Sequence, residues 1–386
     1  MRRWLLVAAC LAMALAPSTA KAADTTRFGF FDTTYAFERP GTFWPDYHQL
    51  GARALRVTVN WDAITQRRQP RHPTDPADRA YNWSTLDTIV ERAQAEGALD
   101  GFLGTIWTTP TWARDRTQAR YAADPRSNLV MPRLDAFQDF LTALVTRYSG
   151  TYIPPGATTP LPRIPSYQIW NEVNYYLFPF KIRGRFVVAR NYSAMLTAAY
   201  ETIKEYDPSL TVVTAGIDPP AYRAQPPLSP YRFIAELAER GAPFDVLAMH
   251  GYTVPVGAGR STASSNYLVA RAPAFAIGDI GSFSGFLQHT FGHRVRLWIT
   301  EFGWQTNPPD QRSGISYAAQ ARLLRRAVAL IRASHRVERA YWFLLRDEPL
   351  VYSDGTSATW QSGLRTSSGL KKPGFRAWDS MFAPAP

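Results

Sequence analysis

Two glutamates carry the chemistry that this sequence suggests. Glu172 lies in the phrase Gln168 to Asn174 (QIWNEVN), with the amide of Asn171 beside it. Glu301 lies in Arg296 to Trp304 (RLWITEFGW). Each follows an apolar run of strand length, so each carboxylate is expected at the C-terminal end of a buried strand. Two carboxyl groups facing one another suit the cutting of a glycosidic bond by a general acid and a nucleophile, and a retaining pair would stand ~5–5.5 Å apart. A single buried Glu is more often structural. Two at matching strand ends, both in aromatic surroundings, shift the balance toward a site.

The acid must hold its proton and the nucleophile must stay ionised, so their neighbours have to differ. Arg56 is the candidate cation for Glu301, and Tyr252 a candidate hydroxyl donor. Asn171 can bond a sugar hydroxyl next to the reacting carbon. His250 and Tyr252 are two apart on one run and share a strand face. Trp107, Trp112, Trp304 and Trp342 lie at or just beyond strand ends, where an indole can stack on the C–H face of a sugar. Glu172 and Glu301 are therefore the catalytic candidates. Arg56, Asn171, His250, Tyr252 and the four tryptophans are the substrate-binding ones.

Positioning these groups requires a repeating scaffold. Runs of strand length cover Phe28 to Asp32, Ala54 to Trp61, Gly101 to Trp107, Ser166 to Asn174, Leu210 to Ile217, Phe244 to Tyr252, Arg296 to Trp304 and Glu338 to Leu345. Helical patterns fall between them: Ser84 to Glu96, with Ser84 as N-cap, then Arg133 to Tyr148, Asn191 to Tyr206, Tyr231 to Arg240, Ala274 to Phe291 and Tyr317 to Ala333; Phe375 to Phe382 comes last. The alternation predicts an α/β fold of one domain, a (β/α)8 TIM barrel. Links from strand to helix are long, and most links from helix to strand are a few residues. In such barrels the long links surround the strand C-termini, where chemistry is done. A doubly wound open sheet would want a Gly-rich loop after its first strand, and there is none.

The chain has 386 residues, 13% of them aromatic, and a formal charge of +12. Arg2 and Arg3 precede an apolar run, and Ala20-Lys-Ala22 fits a cleavage site. Residues 1–22 read as a signal peptide and 23–386 as the catalytic domain, which places the protein in the secreted or periplasmic space, with no stable membrane span once the signal is removed. Cys10 is the only cysteine and falls within that segment. The positive charge comes mostly from scattered Arg. It fits genome composition better than attraction to an acidic polymer or an anionic cell envelope, although an acidic polysaccharide partner would also suit it; no nucleic-acid motif is present. No cofactor is implied. His289 and His293 have helical spacing, but Gly292 interrupts them and no carboxylate joins, so no metal site is assigned.

The phrases W-N-E at Trp170 to Glu172 and E-F-G-W at Glu301 to Trp304 resemble clan A glycoside hydrolases, which are (β/α)8 barrels. The likeness runs from Phe28 to Phe382 and is greatest to family 39, through Thr109-Pro-Thr-Trp112, with family 5 next. The resemblance implies a retaining hydrolase of O-glycosyl bonds in an oligo- or polysaccharide, with Glu172 as acid/base and Glu301 as nucleophile. It also matches Arg56 to the clan's second-strand Arg and Trp342 to its eighth-strand Trp. A transglycosidase using the same residues, a silent polysaccharide-binding barrel and a metal-dependent barrel hydrolase are the alternatives.

Overall fold

The protein is described here from a computed structural model. It covers residues 26–382 except 67, 125, 220–227, 253–267, 269–274, 312–313, 350–351, 354–355 and 358. The signal-peptide reading of residues 1–22, and Ala274 at the start of one expected helix, lie outside the described residues.

Eight parallel strands form a nearly closed barrel: β1 (Arg27–Phe31), β2 (Ala54–Asn60), β3 (Phe102–Trp107), β4 (Ser166–Ile169), β5 (Thr211–Val213), β6 (Leu247–His250), β7 (Leu297–Phe302) and β8 (Val337–Phe343). Their spatial order is β5-β4-β3-β2-β1-β8-β7-β6. Single parallel bridges, Val213 to Val246 and Ile217 to Met249, join β5 to β6 across the seam. Helices α1 (Pro40–Gln49), α2 (Ser84–Ala95), α3 (Leu134–Arg147), α4 (Val188–Tyr206), α5 (Pro230–Glu239), α6 (Ile280–Phe291), α7 (Tyr317–Ser334) and α8 (Pro373–Phe382) follow the strands in turn. This is the (β/α)8 barrel that the alternation of strand and helix patterns predicts.

Two details depart from the sequence reading. Helix α1 is not signalled, because Pro40, Gly41 and Pro45 break its pattern. Pro40 sits in its first turn, where no N–H is needed, and burial of Phe43, Trp44 and Tyr47 offsets the internal Pro45. Ser84 is the first helical residue of α2 instead of its cap, and the Asn82 side chain accepts from the Ser84 backbone N–H and hydroxyl.

The core has two parts. A large apolar layer lies between the barrel and the helices. A smaller cluster fills the barrel itself: Ala54, Leu103, Val213, Val246, Ala248, Trp298 and Tyr341. Among the described residues, no helix is long and apolar enough to cross a membrane.

Candidate active site

Glu301 reaches the barrel interior through an irregularity in β7. Ile299 pairs with Ala340 and Phe302 with Trp342, so three steps on β7 match two on β8. On the other side, Met249 pairs with Ile299 and His250 with Glu301. The extra residue is a β-bulge, a device that re-aims side chains beside active sites. Trp298 faces inward as part of the plug, and strict alternation would turn Glu301 outward. The bulge turns it inward and sends Phe302 to the outer core.

Glu172 arrives differently. Regular pairing of β4 stops at Ile169, three residues before it. Trp170 and Glu172 then adopt positive φ, 73° and 42°. Such conformations cost a non-Gly residue roughly 1–3 kcal/mol and concentrate at functional sites. Local bonds hold the turn. The Glu172 N–H donates to Gly216 O (2.8 Å), the Glu172 carbonyl accepts from the Tyr175 and Tyr176 N–H groups, and Trp170 Nε1 donates to Tyr176 O.

The two carboxylates converge. One oxygen from each and a ring nitrogen of His250 lie within 4.8 Å of one another. Glu172 is 8% and Glu301 6% exposed, so both touch solvent only through the mouth.

Arg56 is fully buried beneath them. Nη1 donates to Glu301 Oε1 (2.5 Å) and Thr300 O (3.1 Å), Nη2 to Asn171 Oδ1 (2.7 Å), and Nε to Thr105 Oγ1 (2.8 Å). Its plane lies 4.1 Å over the Phe31 ring. Thr105 donates to Gln168 Oε1, and Gln168 Nε2 donates to Thr214 O. This network offsets the desolvation of a buried guanidinium, which is costly unless its donors are satisfied. It also fixes Asn171 with its amide beside the carboxylates.

Tyr252 donates its hydroxyl to Glu301 Oε2 (2.7 Å). Burial first, and then the Glu301 charge, push the Tyr252 pKa well up, so it stays a donor. Burial also pushes Glu301 up, but His250, Arg56 and Tyr252 together outweigh it and hold Glu301 below its ordinary value. His250 is itself held neutral, its pKa pulled down to about 4, chiefly by burial. Near neutral pH the standing stabilisers of the Glu301 charge are therefore Arg56 and Tyr252.

His250 stands between the acids. Nδ1 lies 2.7 Å from Glu172 Oε1 in a hydrogen bond. Nε2 lies 3.3 Å from Glu301 Oε1, but off the line a hydrogen bond requires. Room for the ring comes from Gly216, where a Cβ would fall 1.9 Å from His250 Nε2. Glu172, His250 and Glu301 could together face a cation, but the guanidinium on Glu301 already supplies that positive charge and would repel a metal ion.

The tryptophans separate. Trp107, at the end of β3, is half-buried and packs edge-on to Tyr176. Trp112 is half-buried against Trp61. Trp304 and Trp342 are placed away from the mouth, contrary to the sequence reading. Trp342 is fully buried, packs on Phe302, Trp304 and Trp378, and donates to Ser362 O. It sits on the outward face of β8 because Tyr341 and Phe343 occupy the inward one. Phe343 takes the place expected of Trp342, with ring contacts to Phe31 and Tyr252. The signal was available in the alternation of Tyr341, Trp342 and Phe343. Thr105, Gln168 and Gly216 had no such signal, since their roles depend on strands that meet only in the barrel.

No protein-family model matches the sequence, and no curated protein matches it. Among solved structures the chain is similar to a glucosidase from Croceicoccus marinus (TM-score 0.60, 16% identity, 91% of this chain and 64% of that one). It is similar to a family 39 glycoside hydrolase from Bacteroides cellulosilyticus WH2 (0.59, 16%, 93% and 64%). A GH10 endoxylanase retrieved from a sugarcane soil metagenome matches over nearly its whole length (0.57, 14%, 93% and 97%). The chain thus spans less than two thirds of the first two proteins. At these identities the shared property is the fold.

Proposed function

We propose that this protein is a retaining glycoside hydrolase acting on an oligo- or polysaccharide. The observation that carries the reading is the pair of buried carboxylates, with oxygens within 4.8 Å, only one of which is bonded to Arg56 and Tyr252. The spacing suits direct attack and leaves no room for an intervening water of the inverting kind. Glu301, kept ionised, attacks the anomeric carbon. Glu172 protonates the leaving oxygen, then takes a proton from the water that cleaves the glycosyl-enzyme ester. Asn171, oriented by Arg56, bonds the hydroxyl beside the reacting carbon. The fold shared with solved glycosidases supports the same reading, and the segment Arg2 to Ala22 supports export.

A panel of chromogenic glycosides, with the anomer of the first product read by NMR, tests this. Retention is expected. Glu301→Ala should lower turnover by roughly 10⁴-fold or more. Glu172→Ala should lose about 10²–10⁴-fold and regain part of it with azide, which needs no general base. An inverted product, or full activity in either variant, would overturn the assignment. A transglycosidase would instead give longer products at high acceptor concentration.

A further inference from the structure

Trp360 lies in the link between β8 and α8 and is 47% exposed, an unusual state for so large an apolar ring. Its indole meets the Phe343 ring edge-on at 5.7 Å. Phe343 in turn contacts Tyr252, whose hydroxyl bonds Glu301, and Phe31, whose face carries Arg56. An unbroken run of rings therefore leads from the nucleophile out to Trp360.

The backbone that presents this ring is firmly tied. The Trp360 N–H donates to Glu348 Oε2 (2.8 Å), and its carbonyl accepts from the Glu348 N–H (3.0 Å). Next to it, the Gln361 N–H donates to Gln305 Oε1, and Gln361 O accepts from Thr306 N–H and from Lys372 Nζ. Lys372 is buried and paired with Asp347 at 2.7 Å, and also donates to Thr306 Oγ1. This buried, hydrogen-bonded pair ties the links after β7 and β8 together, and the Phe343 ring packs against the indole. An exposed aromatic on a tied backbone beside a sugar-cleaving centre is suited to stacking on a pyranose face.

We infer that Trp360 is the platform of a second sugar-binding position on the glycone side. The inference rests on the hydrolase reading above. Glu301 attacks the sugar whose bond is cut, and Phe343 lines that position. Trp360 lies beyond Phe343, so it meets the next sugar toward the non-reducing end. The preferred substrate therefore carries at least two sugars before the scissile bond, and single terminal sugars are released poorly.

Matched p-nitrophenyl β-glycosides test this: xyloside with xylobioside, glucoside with cellobioside, mannoside with mannobioside. In at least one pair the wild type should prefer the disaccharide by kcat/KM. Trp360→Ala should lower the disaccharide-to-monosaccharide preference about 3- to 10-fold, mainly through KM, and Trp360→Phe should restore part of it. Urea denaturation checks that both variants are folded. An unaltered preference in Trp360→Ala would overturn the platform while leaving the hydrolase reading intact. Where the panel above shows another sugar or anomer to be turned over, the matched pair is made of that sugar; turnover of no glycoside in that panel would overturn the hydrolase reading on which the platform depends.

Discussion

Ala54 and Arg56 face the same way on β2, one pleat apart, yet Ala54 lies in an apolar plug and Arg56 among charges. The same step recurs around the barrel. Leu103 gives way to Thr105 on β3, Ala248 to His250 on β6 and Tyr341 to Phe343 on β8. The lower half is held by shape. Trp298 and Tyr341 fill it, and Arg339 covers the Trp298 face at 4.1 Å. The upper half is held by hydrogen bonds that each need a specific partner. One set of strands thus provides a floor that tolerates no void, and above it a network that tolerates no missing donor. The floor should govern stability, and the network should govern chemistry.

Substitutions can break that division. Beyond the loss of the carboxylates themselves, the largest effect is expected for Arg56→Gln. It removes the cation from a buried carboxylate, which costs about 3–5 kcal/mol and leaves Glu301 easier to protonate. Because Glu301 is held below its ordinary value, activity and the stability it confers are present above that value and fade as pH falls through the lowered one. In the variant the acid limb of the pH–rate profile should therefore move to higher pH. An unmoved limb would show that Arg56 does not hold the nucleophile ionised.

Trp298→Ala should do the reverse. It opens a cavity in the floor and should cost about 3–5 kcal/mol in urea unfolding, while kcat/KM per folded molecule changes little. A large loss of kcat/KM with small destabilisation would show that floor and network are coupled.

Phe343→Ala and Trp342→Phe sharpen the comparison across the wall of the barrel instead of along it. The first should raise KM about 3- to 10-fold, since its ring lines the mouth. The second should lower stability by about 1–3 kcal/mol with KM nearly constant, because its ring packs against α8. The opposite pattern would return Trp342 to the mouth.

The sequence by itself determined the scaffold and the chemical endowment. Hydrophobic period and link lengths are local properties, and they were enough for eight strands, for seven of the helices that follow them, and for the end of the barrel that carries the long links. Glu172, Glu301, Asn171, His250 and Tyr252 could be proposed because strand ends in a parallel barrel share one rim, and Arg56 because a buried nucleophile needs a cation from another strand. Direction was what only the tertiary structure decided. The bulge in β7 turns Glu301 inward, the positive-φ turn aims Glu172, and the phase of β8 sends Trp342 outward and Phe343 inward. Each depends on pairing between strands distant in the chain, as does the gap left by Gly216 for His250. A strand's residues carry their identities alone, but which face each presents is fixed only by its neighbours.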